Sequence, residues 1–179
     1  MLTPLKKLLF KVVPLDMFIR LRGKYRQWLK AVYRPIDEEE FRAILSDKLG
    51  IKKGSVVMVH SSFDQLNVAF DVVRALELLL DAVGDEGTLL FPAWHFSYRA
   101  EDYLRKDLVF DVKRSPSVMG LLSEAARRHP DAHRSLHPLN SMVAIGKDAE
   151  ILVNGHTTSI YPCDENSPYY KLLMFNSII

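Results

Sequence analysis

The sequence predicts an α/β domain with helices on both faces of a largely parallel sheet. Three observations carry that expectation. Short β-branched and apolar runs recur at Ser55-Val56-Val57-Met58-Val59-His60, Thr88-Leu89-Leu90-Phe91 and Ser141-Met142-Val143-Ala144-Ile145. Stretches with helical apolar spacing alternate with them, and turn signals such as Lys53-Gly54 and Gly84-Asp85-Glu86-Gly87 fall between. The chain has 179 residues, enough for one domain with a sizeable core. Cys163 is its single cysteine, which excludes a disulfide framework and a four-thiolate zinc site.

The first segment stands apart by charge. Residues 1–34 hold nine of the 24 Lys and Arg residues and one of the 22 Asp and Glu residues, Asp16, a local +8 that leaves −6 for the remainder of a chain of net +2. Apolar runs at Leu8-Leu9-Phe10 and Met17-Phe18-Ile19 are broken by Lys11, Pro4 and Pro14, so no stretch approaches the ~20 apolar residues of a spanning helix. A signal peptide fits no better, for want of an unbroken apolar region and a small-residue cleavage site. Residues 1–34 are expected to form a basic helical extension, either with a solvated basic face or as a peripheral contact with anionic lipid through Phe18, Leu21, Trp28 and Leu29. The expected location is the cytoplasm.

Residues 35–179 are expected to be the domain proper. Ile36-Asp37-Glu38-Glu39-Glu40-Phe41 is a helix start, with Asp37 as cap, Glu40 completing a capping box and Ile36 closing on Phe41. Gly50 suits its end. A second helix should cover about Ala69 to Val83, and a third should start at Ser115-Pro116 and run to about Arg128. Residues 93–114 have no clear period, and a loop of that length is uncommon unless functional. The stretch from His129 to Asn140 reads as irregular. A short helix is expected after Gly146, a last one at about Ser167 to Phe175, and Ser177-Ile178-Ile179 looks like a strand beginning, so the sheet is expected to be C-terminally incomplete.

Three constellations could carry chemistry. His60-Ser61-Ser62 ends the first strand, where open α/β sheets bind ligands, although on residue chemistry alone the simpler reading is that His60 ends a strand and the serines satisfy a turn. Ser115-Pro116-Ser117-Val118-Met119-Gly120 has the form of a capped helix start, with free amides and a partial positive charge suited to phosphate. A glycine inside that helix would cost ~1 kcal/mol relative to alanine, which a close approach there would explain. The equal alternative is a capped surface helix without a ligand. The histidines of His129-Pro130-Asp131-Ala132-His133-Arg134-Ser135-Leu136-His137-Pro138 are spaced by four, but the prolines oppose one continuous helix and no metal site is expected. No Gly-x-Ser-x-Gly elbow, Walker loop or dinucleotide fingerprint occurs in the sequence.

The order of the motifs is specific. Val59-His60-Ser61-Ser62, Gly87-Thr88-Leu89-Leu90-Phe91-Pro92, Phe110-Asp111 with Ser115 to Gly120, Arg134-Ser135-Leu136-His137-Pro138, Ser141 to Gly146 and Asn166-Ser167-Pro168 resemble the aminoglycoside 3-N-acetyltransferase family over about residues 36–179. The resemblance implies a three-layer α/β/α domain that uses acetyl-coenzyme A as cosubstrate, without metal. It implies direct acetyl transfer to an amine of an aminoglycoside or an amino sugar. It further implies a coenzyme site lined by His60, Ser61, Ser62, Ser115, Ser117, Val118, Met119 and Gly120. Trp94, His95, Glu101, Arg134 and His137 would lie near the acceptor. The family's general base comes from a His-containing segment expected beyond Ile179, so no catalytic residue is assigned. Ala93 departs from the threonine that members often carry. A non-catalytic coenzyme A-binding or interaction module with a basic arm is the alternative.

Overall fold

The structure, a computed structural model, describes residues 14–106 and 108–179. The start of the basic segment, residues 1–13, lies outside the described residues. The chain divides into two compact units between Ile36 and Asp37. In the first, α1 (Leu15–Val32) follows Pro14, with Asp16 in its first turn and Lys30 in its last, each suited to the helix dipole.

The second unit begins with α2 (Glu38–Ala43). Asp37 caps it as the sequence predicts, its carboxylate accepting from the Glu40 amide at 2.9 Å. The chain continues through a π-helical turn, Ile44–Lys48, and leaves at Gly50 in a left-handed conformation (φ 69°). Strand β1 (Val56–Met58) is followed by α3 (Val72–Val83), which starts three residues later than its apolar pattern suggests. The reason is local: the Asp71 carboxylate accepts from the Arg74 amide at 2.8 Å and so fixes the cap. Strand β2 (Thr88–Pro92) is buried throughout and pairs parallel to β1.

The remaining pairings differ from expectation. Strand β4 (Met142–Gly146) runs antiparallel to β2, and a two-residue strand β3 (His133–Arg134) runs antiparallel to β4, giving the order β1-β2-β4-β3. The sheet is mixed, not largely parallel. Alternating strands and helices suggest parallel crossovers, but β3 forms inside the stretch read as irregular and pairs as a hairpin with β4, closed by the turn at Pro138-Leu139-Asn140. Ile178 does pair parallel to Val57, its amide donating to Val56 O and its carbonyl accepting from the Met58 amide.

Strand alternation divides the core between the two faces of the sheet. Val57, Leu89, Phe91, Val143 and Ile145 pack with Leu45 and with Ala75, Leu76, Leu79 and Val83 of α3. Leu122 and Ala126, from α5 (Leu121–Arg127), join the same cluster. Val56, Met58, Leu90, Met142 and Ala144 pack on the other face with Ala149, Leu152 and Val153 of α6 (Ala149–Val153) and with Leu172. Leu89, Leu90 and Phe91 are fully buried, and each such side chain contributes roughly 1.5–3 kcal/mol. The segment expected to be a loop contains α4 (Ala100–Leu104). The last helix is α7 (Pro168–Lys171), capped by Ser167 and continued by a 3₁₀ turn at Leu172–Phe175.

Candidate functional site

At the carboxyl end of β1 the chain leaves the sheet through His60, Ser61 and Ser62. These three residues, with Pro92 from the end of β2, Met119 and Ser123, line a cavity of about 290 Å³. An apolar cavity of about 250 Å³ lies alongside, formed in part by Phe41, Leu45, Leu66, Leu79 and Ile178, and it also reaches His60 and Ser61. Ser61 therefore borders both. Its Oγ is buried and makes no hydrogen bond with any of the described residues. Most buried hydroxyls find a partner, because an unpaired one costs about 1–3 kcal/mol.

Gly120, next to the lining residue Met119, is the N-cap of α5 at φ 124°. A Cβ built there would lie 3.4 Å from the Ser61 carbonyl, an ordinary contact, but a side chain at 120 would be strained by its backbone conformation. The glycine is accounted for by its positive φ at the start of the helix, and it does not lie inside the helix as expected.

That position corrects the expected helix start at Ser115-Pro116. Residues 115–119 are irregular, and their amides are already used. The Ser115 amide donates to Asp111 O at 2.8 Å, Ser117 to Glu124 Oε2 at 2.7 Å, Val118 to Trp94 O at 2.8 Å and Met119 to Ser117 Oγ at 3.2 Å. The Ser115 hydroxyl accepts from the Asp111 amide at 3.1 Å. Of the residues expected from this segment, only Met119 lines the 290 Å³ cavity; Ser115, Ser117, Val118 and Gly120 do not. Ser123, buried on the first turn of α5, and Pro92 were not anticipated as lining residues. Ser123 could have been found only by knowing that the helix begins at Leu121.

The 111–119 segment is held by two arginines. Arg127 pairs with Glu124 at 2.7 Å and donates to Lys113 O at 2.6 Å. Arg127 foremost, with the Ser117 amide and Arg128, holds the Glu124 carboxyl down at about 2. Arg134 spends its guanidinium on backbone: Nη1 donates to Val112 O and Ser115 O, Nη2 to Ala93 O, and Nε and Nη2 reach Ser141 Oγ at 3.3 Å. It also stacks over Phe110 at 4.8 Å. Burial, then the neighbouring charge of Arg127, lowers its pKa to about 10, so it remains a cation at neutral pH.

The other expected residues lie around this clamp. His95 stacks on Phe110 at 4.7 Å, with Phe96 and Tyr103 edge-on. Both its ring nitrogens are buried without a hydrogen bond, and burial, aided by Arg134, pushes its pKa down. Trp94 enters through its carbonyl, and Glu101 is exposed and paired with Arg105 at 2.6 Å. His137 is buried and stacks on His156 at 4.5 Å, with Nδ1 accepting from the Asn140 amide. His156 Nδ1 lies 2.8 Å from Ser135 Oγ, which already accepts from the Met142 amide. Burial first, and His137 next, lowers the His156 pKa to about 4. None of Trp94, His95, Glu101, Arg134 and His137 lines the 290 Å³ cavity. Among the described residues no group of three or more His, Cys, Asp or Glu side chains is arranged to hold a metal ion.

A cavity beyond the carboxyl ends of adjacent strands is where ligand-binding α/β proteins place their sites. The sequence model of the family described as aminoglycoside 3-N-acetyltransferase matches residues 58–179. The chain belongs to that family. It is 31% identical over 148 residues to the SPbeta prophage-derived aminoglycoside N(3')-acetyltransferase-like protein YokD of Bacillus subtilis, covering 73% of this chain and 54% of that protein. It is 30% identical over 144 residues to aminoglycoside N(3)-acetyltransferase III of Pseudomonas aeruginosa, covering 73% of this chain and 53% of the relative. The chain thus spans about half the length of the curated relatives it matches. Among solved structures, the apoenzyme of aminoglycoside acetyltransferase AAC(3)-IVa superposes with TM-score 0.69 at 26% identity, covering 80% of this chain and 53% of that one. The binary complex of AAC-IIIb with CoASH superposes with TM-score 0.65 at 29% identity, covering 77% and 56%.

Proposed function

We propose that this chain forms the coenzyme-binding part of an N-acetyltransferase that moves an acetyl group from acetyl-coenzyme A to an amine of an aminoglycoside or an amino sugar. The reading includes a three-layer α/β/α domain, of which residues 35–179 supply the N-terminal part. The observation that carries it is the Ser61 hydroxyl, buried between a polar cavity and an apolar one at the end of β1 without a partner among the described residues. Family membership and the CoASH complex of a relative support the choice of ligand. Relatives solved with sisomicin and with a gentamicin support an amine acceptor.

The bound thioester would supply an activated acetyl group. A neutral amine adds to its carbonyl carbon, forming the C–N bond; the C–S bond then breaks, coenzyme A departs as its thiolate, and the proton released by the amine nitrogen ends on that sulfur or in solvent. In this chain the Ser61 hydroxyl would donate to or accept from a polar atom of the pantetheine arm, whose methylene and methyl groups suit the apolar cavity. His60 and Ser62 offer further polar contacts at the mouth. The pyrophosphate is not placed on residues 115–119, whose amides are engaged within the chain. Those residues act as a wall, held by Glu124, Arg127 and Arg134. No side chain of the described residues is assigned as the general base.

Calorimetric titration of the chain with coenzyme A is the test. Saturable one-to-one binding is expected, weakened at least about tenfold by Met119→Glu, which places a carboxylate where a polyanion must enter (tenfold is about 1.4 kcal/mol). Absence of binding by the unaltered chain would overturn the proposal, as would full binding by a folded Met119→Glu protein.

A further inference from the structure

We propose that α1 lies flat on an anionic bilayer surface. The proposal is independent of the coenzyme reading. Met17, Leu21, Tyr25, Trp28 and Val32 follow one another at spacings of four, four, three and four, and each is at least 44% exposed. At about 100° per residue they form one stripe roughly 80° wide along the full length of the helix. Tyr25 and Trp28 stack within it at 6.0 Å. Basic residues border the stripe on both sides, Arg20 and Lys24 on one flank and Arg22 on the other, while Asp16 falls on the opposite face. Ile19 is exposed on the far side, off the stripe.

Apolar and aromatic residues flanked by cations are what an interfacial helix needs. The stripe enters the acyl boundary, the two aromatic rings sit at headgroup level, and the lysine and arginine stems extend sideways to phosphate. No helix among the described residues is long and apolar enough to cross a membrane, so the geometry is parallel to the surface. A second copy of the helix is a poorer occupant, because facing stripes would bring the basic flanks of both copies together. A nucleic acid would engage the cations but leave the stripe exposed to water.

Vesicle flotation of the full chain distinguishes these occupants. With vesicles of phosphatidylcholine containing about 30% phosphatidylglycerol, most of the protein is expected to float at low salt, with at least about tenfold less on pure phosphatidylcholine or in about 0.5 M salt. Leu21→Glu with Trp28→Glu, both at exposed positions, is expected to abolish flotation without altering the thermal unfolding of the domain. Arg20→Lys with Arg22→Lys should retain flotation, since charge and not guanidinium geometry is required. The proposal is overturned if the unaltered chain does not float, or if the double glutamate variant floats equally well. It is also overturned if the helix instead drives dimerisation, or shifts an RNA oligonucleotide while ignoring vesicles.

Discussion

Two polar regions flank the end of the sheet, and they are built in opposite ways. Arg134 is fully matched, although the ring nitrogens of the neighbouring His95 have no partner among the described residues. One guanidinium serves the carbonyls of Ala93, Val112 and Ser115, and Ser141 Oγ adds a second donor to Ala93 O at 2.7 Å. At the end of β1 the Ser61 hydroxyl is left unmatched beside two cavities. A saturated network is scaffold, since every atom is already committed to another part of the chain. An unsaturated one is where a ligand can gain more than it displaces. The contrast reverses the ranking that charge alone suggests, by which a half-buried arginine looks more like a ligand-binding group than a serine.

The comparison breaks most easily at Arg134. Arg134→Met removes a partly buried charge and strands the carbonyls of Val112 and Ser115, while Ala93 O keeps Ser141 Oγ, and a loss of about 3–5 kcal/mol is expected in urea denaturation. Arg134→Lys should recover only part, because one ammonium cannot reach the three carbonyls as a planar fork does. A loss under about 1 kcal/mol for Arg134→Met would remove the scaffold role.

A second scaffold element should reveal itself through pH. His156 has a folded pKa of about 4, against about 6.5 for an unperturbed histidine, so the unfolded chain binds the extra proton between those values. Its contribution is intact above about pH 6.5 and is lost as pH falls toward 4, a total of about 3 kcal/mol. Burial of His137 acts in the same direction. Stability measured from pH 7 down to 4.5 should slope downward, more gently in His156→Gln. An unchanged slope would show that the pair does not titrate as the geometry requires.

Glu124→Gln should cost less, about 1–3 kcal/mol, through loss of the charge-assisted contacts to Arg127 and the Ser117 amide. It should also loosen residues 113–119, seen as faster amide exchange there than elsewhere in the unit. Exchange unchanged in that segment would contradict its anchoring role. The smallest effect on stability is expected at Ser61→Ala, within about 0.5 kcal/mol, because no hydrogen bond with the described residues is lost. The same substitution should weaken coenzyme A several-fold. A large destabilisation would place Ser61 with the scaffold.

Much of the fold was legible where the signal is local. Asp37 and Ser167 cap their helices as their side chains imply, and the runs at 56–58, 88–92 and 142–146 form strands. Strand direction was not legible, because β3 is only two residues long and owes its place to pairing with Val143 and Ala144. The Ser115-Pro116 start failed for a related reason. Its local signal is sound, but distant partners overrode it: Arg134 takes the Ser115 carbonyl and Glu124 takes the Ser117 amide. Of the candidate site, His60, Ser61, Ser62 and Met119 were read from sequence and share one cavity. Ser123 was missed because its place depends on where α5 begins.

Ser61 is proposed to mark the ligand site, and the Arg134 network to be scaffold. A crystal structure of the chain soaked with coenzyme A tests this most directly. The account predicts ligand density in the cavity bounded by His60, Ser62, Pro92, Met119 and Ser123, within hydrogen-bond distance of Ser61 Oγ, and an unaltered Arg134 network. Coenzyme bound along residues 115–118, with Arg134 turned from its carbonyls toward the phosphates, would contradict it.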